Sequence, residues 1–173
     1  MARVEPTFRL GCTEFAVTNV LAAADRENPW SRYTSYADLI EGARPDQRRI
    51  MLQFLTPASF RTGDVDLPLP LPRLVFQHYL KRFREFQEFA FLPDFFETVE
   101  RCTSIARMEQ VRTDTIKTKT MPLAGFIGRI TFDISKKAPP ELIAQLNLLA
   151  DFAFFCGTGR KTTVGMGQTV RIQ

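Results

Sequence analysis

One histidine, one tryptophan and three cysteines in 173 residues leave little material for metal or thiol chemistry. Cys12, Cys102 and Cys156 are odd in number and far apart, which fits neither a disulfide framework nor a Cys-x-x-Cys metal site, so they read as buried thiols. Nowhere does the chain approach the roughly 18 consecutive apolar residues of a membrane-spanning helix, and Met1-Ala-Arg-Val-Glu-Pro6 breaks off before a leader could form. Membrane insertion and secretion are disfavoured, and a cytoplasmic address is the default. Neither a metal nor a cofactor is expected.

What the chain does have is enough apolar matter, 45% with 16 phenylalanines, for one good core. Its net charge of +4 is unevenly placed. Residues 1–111 hold 14 Lys/Arg against 15 Asp/Glu, whereas residues 112–173 hold 9 against 4, so the basic character belongs to the last third.

Residues 1–47 read as a connector or the remnant of a preceding domain, with a strand or ribbon interrupted at Gly11 and a short helix from Ser35 to Gly42. Residues 48–173 read as one domain. Arg49–Leu55 is a strand, with Ile50, Leu52 and Phe54 on one face and Thr56-Pro57 as its end. Leu67-Pro-Leu-Pro-Leu-Pro72 must run extended, because each residue before a proline is kept from helical angles, and Pro72 then suits a helix's first turn.

That helix, expected from Pro72 to about Phe89, places Phe76, Tyr79, Leu80, Phe83 and Phe86 on one stripe. His78 falls on the opposite, polar side beside Arg82 and Glu85, a solvated surface histidine in the plainer reading, a proton donor or RNA contact in the other. A second short helix follows Pro93. Ser104–Lys119 alternates as a strand with Thr113, Thr115, Lys117 and Lys119 on one face, and Gly125–Ser135 returns as its hairpin partner. This basic hairpin is either a solvated outer face or an RNA-contacting ribbon.

Pro139–Phe155 is a helix apolar almost all round and stopped by Gly157, and Thr169–Ile172 is a last short strand. The order is strand, helix, strand, strand, helix, strand: an α+β domain of the ferredoxin-like (RRM-like) β-α-β-β-α-β class with an N-terminal appendage. Between the last helix and strand lies the loop 157–167, which holds four of the nine glycines together with Arg160 and Lys161. A flexible, positively charged backbone of this kind suits a phosphate-bearing partner. It is not a Walker A loop, since Arg160 rather than glycine precedes Lys161 and the loop follows a helix instead of opening one. A purely structural loop, capping the helix and turning into the strand, is the alternative.

Phe54-Leu-Thr-Pro-Ala-Ser-Phe60, Leu67–Phe76, Gly125-Phe-Ile-Gly-Arg129 and Leu149–Gln168 resemble, in that order, the C-terminal half of the CRISPR-associated repeat-processing endoribonucleases of the RAMP superfamily. The resemblance covers residues 48–173. It implies binding of the CRISPR repeat in precursor RNA (crRNA) and metal-independent cutting by attack of a ribose 2′-hydroxyl on the neighbouring phosphate. It also implies a catalytic N-terminal half outside this chain, so no catalytic residue is carried over.

The glycine loop does carry over, as Gly157, Gly159, Arg160, Lys161, Thr162, Thr163, Gly165 and Gly167, with its amides and cations expected to face RNA. Arg112, Lys117, Lys119 and Arg129 of the hairpin form the second expected RNA surface. Partners besides RNA would be the N-terminal half or other CRISPR effector subunits. The alternative function is a non-catalytic guide-RNA-binding RAMP subunit of a CRISPR ribonucleoprotein.

Overall fold

The computed structural model describes residues 6–18, 30, 32–117 and 122–172. They belong to two compact units, Met1–Ser35 and Tyr36–Gln173. In the first, β1 (Thr7–Leu10) and β2 (Thr13–Ala16) form an antiparallel hairpin about the Gly11-Cys12 turn. Cys12 is exposed, so its reading as a buried thiol does not hold; Cys102 and Cys156 are half-buried.

In the second unit, α1 (Tyr36–Glu41) lies against the core through Tyr36, Leu39 and Ile40. The compact unit therefore starts before the expected boundary at residue 47. Asn147, buried in the last helix, holds the following turn by donating from Nδ2 to the carbonyls of Arg44 (3.1 Å) and Gln47 (2.8 Å).

The sheet is built from β3 (Arg49–Ala58), β6 (Thr103–Ile116), β7 (Leu123–Ile134) and β8 (Thr169–Ile172), in the order β6-β7-β3-β8 and antiparallel throughout. Helices α2 (Pro72–Arg84) and α4 (Pro140–Cys156) cover one face. With α3 (Phe95–Cys102) inserted before β6, this is the ferredoxin-like arrangement expected from the element order. Ile50, Leu52 and Phe54 of β3 meet Ile130, Phe132 and Ile134 of β7 beneath Phe76, Leu80 and Phe83 of α2 and Leu142, Leu146 and Leu149 of α4. Each of these side chains contributes about 1.5–3 kcal/mol by leaving water. Among the described residues no helix is long and apolar enough to cross a membrane.

Two local expectations change, and one further element appears. Strand β3 runs through Pro57 to Ala58, because the ladder to β7 breaks between Phe54 and Ala58 and the proline sits in that irregularity, where no amide donor is needed. Helix α2 stops at Arg84, which removes Phe86 from the apolar stripe and leaves it 69% exposed. The residues ahead of the proline-rich arm fold into a small ribbon, β4 (Phe60–Thr62) and β5 (Val65–Leu67).

Candidate nucleic-acid interface

Helix α4 ends by donating the Gly157 amide to the Ala153 carbonyl, and the chain then folds back on the end of β3. The Arg160 amide donates to the Ser59 carbonyl and the Gly167 amide to the Pro57 carbonyl, both at 2.9 Å. These approaches leave no room for a side chain. A Cβ on Gly159 would stand 2.2 Å from the Ser59 oxygen, and one on Gly167 would stand 1.9 Å from the Thr158 oxygen.

The two ends of the loop are joined by the Thr158 amide donating to the Gly167 carbonyl at 2.8 Å. Beneath them is a chain of buried hydroxyls. Tyr79 Oη lies 2.6 Å from Thr158 Oγ1, Thr158 Oγ1 lies 2.7 Å from Thr169 Oγ1, and Thr169 Oγ1 donates to the Gly167 carbonyl at 2.8 Å. Each hydroxyl has one proton, so the direction is set: Tyr79 donates to Thr158, and Thr158 to Thr169. Burial pushes the Tyr79 phenol well above its ordinary pKa, which keeps it a donor.

The expectation of a flexible backbone offered to RNA along the whole loop is therefore corrected. Gly157, Gly159 and Gly167 are buried, and the amides of Thr158, Arg160 and Gly167 are consumed inside the protein. What reaches solvent is the turn in between, with Lys161, Thr163 and Gly165 exposed and Thr162 half-buried at the start of a short 3-10 helix. Arg160, also half-buried, is bonded to Asp66 of β5, which in addition accepts from Arg61 at 3.2 Å. The Arg160 guanidinium, then Arg61, hold the Asp66 carboxyl below its usual range.

The hairpin's cations are placed differently from one another. Cross-strand partners share a face, and Arg112 pairs with Ile127, which places it with Arg129 on the side of the sheet away from the helices. Arg129 is already engaged, through Nε to Gln53 Oε1 at 3.3 Å and with Glu109 at 3.9 Å. Lys117 is exposed just beyond the end of β6, while Lys119 lies outside the described residues. The face away from the helices carries Met51, Gln53, Leu55, Arg129, Thr131 and Asp133 along its two central strands and no aromatic ring, so base stacking of the RRM kind has no platform there.

His78 departs from the solvated reading. It is largely buried against the glycine loop, and burial, followed by the nearby Arg82, lowers its pKa to about 4. At neutral pH it is an uncharged imidazole, unsuited to acting as a proton donor. Sequence reasoning missed Arg61 and Lys81, which line the same cleft as His78 and Arg160. The Thr62-Gly63-Asp64 turn was the available signal for the ribbon that carries Arg61. No group of His, Cys, Asp and Glu able to hold a metal occurs among the described residues.

Residues 52–169 match the profile of the family described as CRISPR-associated endoribonuclease Cas6. The chain is 30% identical to a CRISPR-associated endoribonuclease Cas6 of Mycobacterium tuberculosis (strain CDC 1551 / Oshkosh), over 96% of this chain and 50% of that protein. It thus spans about half the length of the curated relatives it matches. Among solved structures, a Cas6 product complex superposes with a TM-score of 0.83 at 31% identity, covering 96% of this chain and 66% of the other. A Cas6 substrate mimic complex gives 0.80 at 30% identity, covering 96% and 68%. With the profile spanning most of the ferredoxin-like unit, glycine loop included, this chain belongs to the CRISPR-associated endoribonuclease Cas6 family.

Proposed function

We propose that this chain is the RNA-binding C-terminal half of a metal-independent endoribonuclease that matures CRISPR RNA, holding the repeat of the precursor while an N-terminal half supplies the cutting residues. The observation that carries this reading is the exposed Lys161–Gly165 turn, held out from a rigidly bonded loop beside Arg160 and Arg61. A turn fixed in this way can meet a ribose-phosphate backbone with little ordering cost. The profile match and the Cas6 complexes that share the fold support the substrate class. Arg112, Lys117 and Lys119 are the second contact, suited to phosphates of a repeat hairpin. The setting is the cytoplasm, and other CRISPR effector subunits are further partners.

Cutting by 2′-hydroxyl attack needs a base for that hydroxyl and an acid for the departing 5′-oxygen. The uncharged, buried His78 does not supply the acid at neutral pH. The test is to incubate the chain with repeat RNA in EDTA and measure binding and cleavage together. Binding without cleavage is expected. Site-specific cleavage would place the chemistry in this half, and absence of binding would sink the proposal.

A further inference from the structure

Two residues other than glycine have left-handed backbone among the described residues, Lys161 at φ 61° and Gln110 at φ 52°. Lys161 stands in the exposed turn, and Gln110, exposed as well, stands on β6 of the hairpin. An L side chain enters this region at a cost, and Asn, Asp and His do so more readily than glutamine. The ladder to β7 breaks between Glu109, opposite Arg129, and Arg112, opposite Ile127, so three steps along β6 face two along β7 and one residue bulges. Against the bulge lies Gly128, at φ 125°, where a Cβ would stand 2.7 Å from the Gln110 carbonyl oxygen and 2.8 Å from Val111 Cα. The second glycine of the Gly125-Phe-Ile-Gly-Arg129 motif thus makes room for it.

The bulge by itself has a structural purpose, since the half-buried Val111 packs on the core. Glycine at position 110 would serve that purpose without strain. What glutamine adds is an amide, an accepting oxygen and a donating nitrogen side by side, with no hydrogen-bond partner among the described residues. Strain kept where a less strained residue would do points to a use for the side chain. Nearby carboxylates are already engaged: Glu109 by Arg107 at 3.1 Å and Arg129 at 3.9 Å, and Asp114 by the Thr115 amide at 2.8 Å. Arg112, two residues beyond Gln110, is exposed and has no ion pair among the described residues.

We infer that Gln110 reads an unpaired adenine in the bound RNA, its amide pairing with the edge of the base while Arg112 holds an adjoining phosphate. The inference rests on the RNA-binding reading and adds to it the choice of base, which phosphate contacts do not supply. Adenine fits because its N6 amino group donates beside a ring nitrogen that accepts, N1 on one edge and N7 on the other, the complement of the amide. The base must be unpaired, because an A-form stem turns its base edges into a major groove too deep and narrow for side chains to read.

The test measures, by fluorescence anisotropy on the whole chain, binding of oligouridylates that carry at their centre one adenine, cytosine, guanine or a further uracil. The adenine strand should bind about fivefold or more tightly than the others. Gln110→Gly should abolish that preference while thermal stability is unchanged or raised, since the strain is relieved. Gln110→Glu keeps the length and loses the donor, so the adenine preference should vanish there too. A residue that merely shaped the bulge would leave the preference as it is in the wild type. Arg112→Ala should keep the preference and flatten the salt dependence by about 0.7 in log–log slope, one phosphate's worth on a single strand. If the wild-type chain binds these strands with no preference for adenine, or both Gln110 variants keep it, the assignment is overturned while the RNA-binding reading stands. If the wild-type chain binds neither these strands nor repeat RNA, that reading fails and the inference with it.

Discussion

Tyr79 Oη and Thr158 Oγ1 are hydrogen-bonded at 2.6 Å across 79 residues of chain, joining the middle of α2 to the first turn of the glycine loop. Both residues are fully buried. Because Thr158 passes its proton to Thr169 and Thr169 donates to the Gly167 carbonyl, the loop's two ends and the last strand depend on one donor from α2.

Tyr79→Phe keeps the ring and removes that donor. The protein should lose about 1–2 kcal/mol of stability, since the Thr158 oxygen stays buried with one partner fewer. Urea unfolding measures this, and an unchanged midpoint would argue against the hydroxyl chain.

Gly159 and Gly165 both have left-handed backbone, at φ 77° and 88°, but differ in their surroundings. A Cβ on Gly165 meets nothing within 4 Å, so Gly165→Ala should cost only the conformational penalty, roughly 1–2 kcal/mol. Gly159→Ala adds a collision with the Ser59 carbonyl and should break the Arg160-to-Ser59 bond, costing clearly more than Gly165→Ala in the same thermal or urea assay.

His78 makes stability depend on pH in one direction. Its folded pKa of about 4 lies below the unfolded value of 6.5, so between these limits the unfolded chain binds the extra proton. Stability is complete above about pH 6.5 and falls as the pH drops towards 4, by roughly 2–4 kcal/mol in all. His78→Gln should flatten this part of the stability profile relative to wild type, as followed by denaturant unfolding at stepped pH. Parallel profiles would refute the assignment.

Asp66 restrains the cations nearest the exposed turn. Asp66→Asn keeps the shape of the contact with Arg61 and Arg160 while removing its charge. RNA affinity should rise a few-fold at low salt and the difference should shrink as salt is added. Fluorescence anisotropy over a salt series would show this, and weaker binding would mean that the carboxylate's orienting role outweighs its charge.

The order of elements, the inward stripes of β3, α2 and α4, and the place of the glycine loop between a buried helix and a last strand were legible in the amino-acid sequence. Each is written in spacing of two or three to four residues, which acts within a turn or two of the chain. The register that pairs Arg112 with Ile127, the end of α2 before Phe86 and the β4-β5 ribbon were not, because they depend on partners distant in sequence. The glycine loop shows the division most clearly. Its composition determined that the backbone could bend and that the turn would carry positive charge. Only the tertiary structure decided that Gly157, Gly159 and Gly167 face inward while Lys161 and Thr163 face out, since the Pro57 and Ser59 carbonyls that claim the loop's amides come from a strand about a hundred residues earlier.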